Sequence, residues 1–165
     1  MRVNLSKRAV LLASIALLAS GQLLHAQGTL RVVGKDYKLE HVVAYETKFF
    51  DDNVNAVLLC AKPIPIDKLK AELQKGSDTG FFLFEPEVKL TFDQSGKLLS
   101  VFIWADNKSI STGGTMDEAK VEADFKDGKA HGKVAMNSEK DDPKYRFDVV
   151  FDVAVMKSPA APRKP

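Results

Sequence analysis

Few side chains in this chain of 165 residues have the types and spacing for chemistry. There is one cysteine, Cys60, and there are three histidines, of which His25 falls in an N-terminal segment treated below. Cys60 stands within Val57-Leu58-Leu59-Cys60-Ala61, an apolar run in which a thiol serves as a small buried hydrophobe. His41 alternates with Tyr37, Leu39, Val43 and Tyr45 on one predicted face. There it is either a polar handle in a pocket or a histidine at a sheet margin with its hydrogen bond satisfied. Were the protein an enzyme, His41 would be its acid or base. His131 follows an Asp-Gly turn and is expected in solvent. A zinc site takes three or four ligands, usually in short-spaced pairs. His41, His131 and one buried thiol do not form that pattern, so no metal and no other cofactor is expected.

The polar stretch Asp106-Asn107-Lys108-Ser109-Ile110-Ser111-Thr112-Gly113-Gly114-Thr115 has neither the Gly-x-Ser-x-Gly of a nucleophile elbow nor the Gly-Lys-Ser/Thr of a phosphate loop. It reads as a long loop, and its Ser109 and Ser111 are ligand candidates because loops carry function more often than scaffolds do. The acid pairs Asp51-Asp52 and Asp141-Asp142 fall in predicted turns, which rarely give the burial that separates two carboxyl pKa values. Ten phenylalanines include the adjacent pairs Phe49-Phe50 and Phe81-Phe82. Consecutive strand residues point to opposite faces, so one ring of each pair should leave the core, to be covered or to form an interaction surface. No catalytic residue is assigned. The partner or ligand candidates are Tyr37, His41, Tyr45, Phe49, Phe50, Phe81, Phe82, Ser109 and Ser111.

The elements that must position them are mainly strands. Tyr145, Phe147, Val149, Phe151, Val153 and Val155 share one face of a long strand, with Arg146, Asp148 and Asp152 on the other. Val88, Leu90 and Phe92 alternate with Glu87, Lys89 and Thr91, and Val121, Ala123 and Phe125 with Glu122, Asp124 and Lys126. Period 2 with one polar face predicts antiparallel strands with one side on a core and one in water. Asp127-Gly128 suits a two-residue hairpin, and Asp93-Gln94-Ser95-Gly96 a longer one. Strands are predicted at 29–33, 36–47, 54–61, 81–92, 97–105, 119–126, 129–136 and 144–156, with Pro86 marking an edge or a break. After Pro63-Ile64-Pro65, Ile66, Leu69 and Leu73 form the stripe of one short helix, with Asp67 in its first turn, Lys75 in its last and Gly76 to end it. The run 54–61 is apolar on both faces, and that helix is its natural cover. The expected fold is all-β: about eight mostly antiparallel strands in a sandwich or partly open barrel, with one short helix after the third strand.

The N-terminus carries Arg2, Lys7 and Arg8, an apolar run from Ala9 to Ala19 broken only by Ser14, then Ser20-Gly21-Gln22 and Leu24-His25-Ala26. That is the layout of a cleavable secretory signal peptide over residues 1–26; a spanning helix needs about 20 predominantly apolar residues. Residues 27–156 then form a single domain, and the Pro-rich 157–165 a disordered tail. Loss of three basic residues turns the formal charge of +2 slightly negative, with no electrostatic footprint for nucleic acid and no stable membrane insertion after cleavage. One thiol permits no internal disulfide, and together with the export signal this places the protein in a bacterial periplasm.

The run Gly28-Thr-Leu-Arg-Val-Val-Gly34-Lys-Asp-Tyr37-Lys-Leu39-Glu-His41-Val-Val-Ala44-Tyr45 resembles the opening of a loosely defined group of small exported bacterial proteins. Asp127-Gly128, His131-Gly132-Lys133 and Tyr145 to Val155 resemble its closing hairpin and strand. The resemblance implies an exported β domain and brings no catalytic residue. The expectation is a non-enzymatic domain that binds a protein partner or envelope component; the alternatives are a small barrel carrying an apolar ligand, and an enzyme using His41.

Overall fold

The computed structural model describes residues 25–75, 84–113, 116, 118–138 and 142–157. They form ten strands and one helix: β1 (His25–Val32), β2 (Lys35–Leu39), β3 (His41–Phe49), β4 (Asp52–Cys60), α1 (Ile66–Gln74), β5 (Glu87–Phe92), β6 (Leu98–Ala105), β7 (Lys108–Gly113), β8 (Lys120–Lys126), β9 (Lys129–Ser138) and β10 (Tyr145–Met156). The fold is the expected mostly antiparallel all-β type, a curled open sheet that makes a half-barrel.

The longest strand organises the curl. On one edge β10 pairs antiparallel with β9, from Tyr145↔Ser138 to Ala154↔Lys129. Its other edge pairs antiparallel with β1 as far as His25↔Asp152, then parallel with β3 at Val155↔Ala44 and Met156↔Tyr45. From β3 the sheet continues as an antiparallel meander to β7, and β8 completes the other side on β9. A strand shared between two sheets in this way makes a corner. A second corner lies between β2 and β3, within the predicted single strand 36–47. Tyr37 and Leu39 pack in the main core, but so do Val42 and Ala44, so the inward phase changes at Glu40. This division puts the helix after the fourth observed strand.

The alternation that predicts β10 holds: Tyr145, Phe147, Val149, Phe151 and Val153 are buried and the residues between them mostly exposed. The core inside the curl joins them to Leu30, Val57, Leu90 and Ile103, and Phe92 sets its ring 5.1 Å from Phe125 and 6.2 Å from Phe151. Two-residue turns close three hairpins with left-handed backbone at both positions: Val33-Gly34, Asp106-Asn107 and Asp127-Gly128. In the longer turn the Asp93 carboxylate accepts hydrogen bonds from Ser95 N (2.8 Å), Ser95 Oγ (2.6 Å) and Lys97 N (2.9 Å). The half-barrel's path begins at β2 and ends at β7, and a 2.8 Å ion pair between Lys35 Nζ and Asp106 Oδ1 joins these ends.

Two expectations are corrected. Within the predicted loop 106–115, the described residues 106–113 are not a loop: Asp106-Asn107 is a tight turn, and β7 pairs with β6 from Ala105↔Lys108 to Ser100↔Gly113. Its single large apolar residue, Ile110, is buried, too little in sequence to signal a strand. Nor do Glu87, Lys89 and Thr91 face water; they are 0%, 2% and 2% exposed. This outer face of the sheet is covered. Leu69 and Leu73 of α1 pack with Phe84 on Val43, Tyr45, Ala56, Leu58 and Cys60, as the two-faced apolar run 54–61 requires, while Ile66 stays at the margin. Lys75 caps the helix C-terminus. Of the predicted strand 81–92, Phe84 to Pro86 are bends and β5 begins at Glu87, just past Pro86. Phe81, Phe82, residues 1–24 and the tail from 158 lie outside the described residues.

Candidate functional site

Register brings several of the candidates onto the outer face, which is covered over β3 to β5 and open at β7. Cross-strand partners share a face, so the pairs His41↔Cys60, Cys60↔Glu87, Glu87↔Trp104 and Trp104↔Ser109 form one row across β3 to β7. The next row runs Val43, Leu58, Lys89, Phe102, Ser111, and a third begins Tyr45, Ala56, Thr91, Ser100. His41, Tyr45, Ser109 and Ser111 therefore share a face, which sequence periodicity alone does not show.

Tyr37 does not join them. It packs against the main core on the other side of the sheet, because the phase change at Glu40 separates it from Tyr45. The Tyr37 hydroxyl is enclosed beside Lys35 and Asp106 without a well-formed hydrogen bond, and burial pushes it above the usual tyrosine range. The Asp106 carboxyl is held low, first by its hydrogen bond from Lys35.

The chemistry open to the outer face is limited by distance and burial. His41 and Ser109 stand four strands apart, about 19 Å at the usual strand spacing, too far for a base to activate a hydroxyl. Ser109 and Ser111 are exposed on β7, with aromatic residues as their row neighbours. Cys60 is fully buried, and burial, then the Glu87 charge beside it, raise its thiol pKa. A thiol so placed stays protonated and unreactive. Among the described residues no group of three or more His, Cys, Asp or Glu is placed to hold a metal. His131 is exposed at the solvent side of β9, as expected.

Glu87 and Lys89 are the buried charges that sequence reasoning missed. Phe84 N donates to Glu87 Oε2 at 3.1 Å, so the chain before β5 turns back over this carboxylate. The one available signal was their alternation with Val88 and Leu90, which reads as a solvent face unless the cover is known. Two shallow grooves of about 340 and 280 Å³ lie over the sheet formed by β1, β8, β9 and β10. Charged residues of both signs line them, among them Arg146, Asp148, Lys120 and Lys133.

The remaining candidate is the tip of the β3–β4 hairpin. Phe49 pairs with Asp52, leaving Phe50 and Asp51 as the turn. Phe50 is 87% exposed, and its backbone is left-handed, with φ 55°. Its ring meets the Phe49 ring edge-on, centroids 4.8 Å apart. Compared with known proteins, the chain matches no family model, no curated protein and no solved structure. No described helix is long and apolar enough to cross a membrane.

Proposed function

We propose that this chain is an exported, non-enzymatic β domain of the bacterial periplasm that binds a protein partner or envelope component through the Phe49-Phe50 hairpin tip. The N-terminal charge pattern and the resemblance of residues 28–45 and 127–155 to small exported bacterial proteins support export. The observation that carries the binding reading is Phe50, an exposed ring on strained backbone. A left-handed conformation costs a residue with a side chain roughly 1–2 kcal/mol, and asparagine or glycine would relieve it. Leaving a phenylalanine in water forgoes about 1.5–3 kcal/mol of burial. Folding gains only the edge-on contact with the Phe49 ring, whereas a partner that receives the ring gains from the exposed area, and aromatic anchors of this kind dominate binding at interfaces. Asp51 and Asp52 follow Phe50 directly in the chain and are exposed, so the fitting partner has an apolar pocket with a basic or neutral rim.

The test is site-specific photo-crosslinking in the protein's own host. A photoreactive phenylalanine analogue at position 50 is expected to give an adduct of discrete mass that the same analogue at Lys126, on the exposed edge strand β8, does not give. Phe50→Asn should abolish recovery of that partner while the domain stays folded. An adduct pattern identical at positions 50 and 126, or undiminished recovery with Phe50→Asn, overturns the reading.

A further inference from the structure

We infer that the N-terminal segment is cut between Gly21 and Gln22, and not after Ala26, so that the exported protein keeps His25 and Ala26 as the start of its first strand. The inference rests on the export reading above. β1 begins at His25, and its first two positions are paired, His25 with Asp152 and Ala26 with Phe151. Ala26 is 7% exposed and belongs to the main core. The strand is closely seated on β10, since a Cβ on Gly28 would come within 2.7 Å of Val149 Cγ1.

These two positions also lie at a corner of the fold. On that edge of β10, β1 covers Tyr145 to Asp152 and β3 takes over at Val155. Cutting after Ala26 would strip the edge beside Phe151 and Asp152 and widen the junction between the two halves of the sheet. It would also place a charged α-ammonium on Gln27, inside the paired strand opposite Val150.

The sequence offers a better bond. Signal cleavage favours small residues at the first and third positions before the cut. For a cut after Ala26 the third is Leu24, whereas for a cut after Gly21 the two positions are Gly21 and Ala19. The cut then falls directly beyond the apolar run and leaves His25 and Ala26 in the exported chain.

Intact mass and N-terminal sequencing of the protein purified from its host's periplasmic fraction test this, allowing for ammonia loss from an N-terminal glutamine. A chain beginning at Gln22 is the expected result. A chain beginning at Gln27, or at any other position within the first 27 residues past Arg2, overturns the inference and leaves export intact. An uncut chain beginning at Met1 or Arg2, recovered only from the cytoplasm, overturns the export reading itself. As a second arm, Gly21→Tyr precedes His25 in the chain and should leave uncut precursor; processing at the wild-type rate and position would again overturn the inference.

Discussion

Replacing Gly132 by alanine adds one methyl group, and the structure fixes what that methyl meets. Gly132 lies mid-strand in β9, on the inward side with Ala130 and Val134. A Cβ there would stand 2.7 Å from Phe151 Cζ, 2.7 Å from Glu122 O and 3.1 Å from Ala123 Cα, whereas carbon atoms pack best at about 3.5–4.0 Å. Relief is closed on both sides. Phe151 is fully buried with Phe92 behind it, and the other two atoms are β8 backbone, held by the Ala123↔Gly132 pairing. Overpacking of this kind costs roughly 1–3 kcal/mol, while alanine in a strand regains about 0.5–1 kcal/mol over glycine. Gly132→Ala should therefore destabilise the domain by about 1–2 kcal/mol, a drop in Tm of roughly 3–8 °C for a domain of this size. Urea unfolding followed by the fluorescence of the single tryptophan, Trp104, measures it. Gly128→Asn is the control, since Gly128 has φ 72° and nothing within 4 Å of an added Cβ; it should fall within about 0.5 kcal/mol of wild type, asparagine tolerating this backbone. A Gly132→Ala protein as stable as wild type would show that Phe151 and β8 do not enclose this site.

If the buried Glu87 and Lys89 on β5 neutralise one another, removing either charge, by Glu87→Gln or Lys89→Met, should cost about 3 kcal/mol or more, because it leaves the other buried without a counter-charge. The double variant should lose less than the sum of the two in a urea-unfolding cycle, and strict additivity would show that the two charges do not interact. Asp93 titrates below the ordinary carboxylate value of 3.8, held there chiefly by the Ser95 hydroxyl. Its stabilisation is therefore complete above that value and lost as pH falls through the lower folded one. Asp93→Asn should flatten the acid limb of stability measured between pH 7 and pH 2, and an unchanged limb would contradict this. Cys60, buried and with its thiol pKa raised, should resist maleimide at pH 8 until the chain unfolds; labelling of the native protein at the unfolded rate would refute the burial.

What the sequence made legible was whatever a local pattern determines. Six inward residues at strict alternation define β10, and Asp127-Gly128 defines the hairpin before it, because both signals lie within a few residues. The run 54–61, apolar on both faces, demanded a cover, and the nearest amphipathic helix supplies it. The failures lie where a distant part of the chain decides. Glu87, Lys89 and Thr91 read as a solvent face because nothing near them in sequence announces that the outer face is closed. Tyr37 and Tyr45 fit one alternating face until Glu40 turns the chain from one half of the sheet to the other, a change of phase that composition does not mark. β7 has a single large inward residue and is a strand because β6 offers it an edge. The row that joins His41 to Ser109 is likewise a product of register, which no single segment carries.

Most departures from local preference in this domain have a packing reason. Gly132 and Gly28 sit mid-strand because β8, β9, β1 and β10 approach too closely for a side chain. Glu87 and Lys89 are charged inside because they share a covered face, with a backbone amide turned onto the first. Asp106, Asn107 and Asp127 take left-handed turn positions, where short polar side chains are at home. Val33 is left-handed as well, but it is the first position of a two-residue turn completed by Gly34, and its backbone N–H is used, donating to Lys144 O at 2.9 Å. Phe50 has only the edge-on contact of its ring with Phe49. An asparagine there would ease the backbone, remove an apolar ring from water and leave the Phe49–Asp52 pairing as it is. A large aromatic side chain kept at the outermost point of a hairpin, against both backbone and solvent preference, is the feature on which the proposed binding surface at this tip rests.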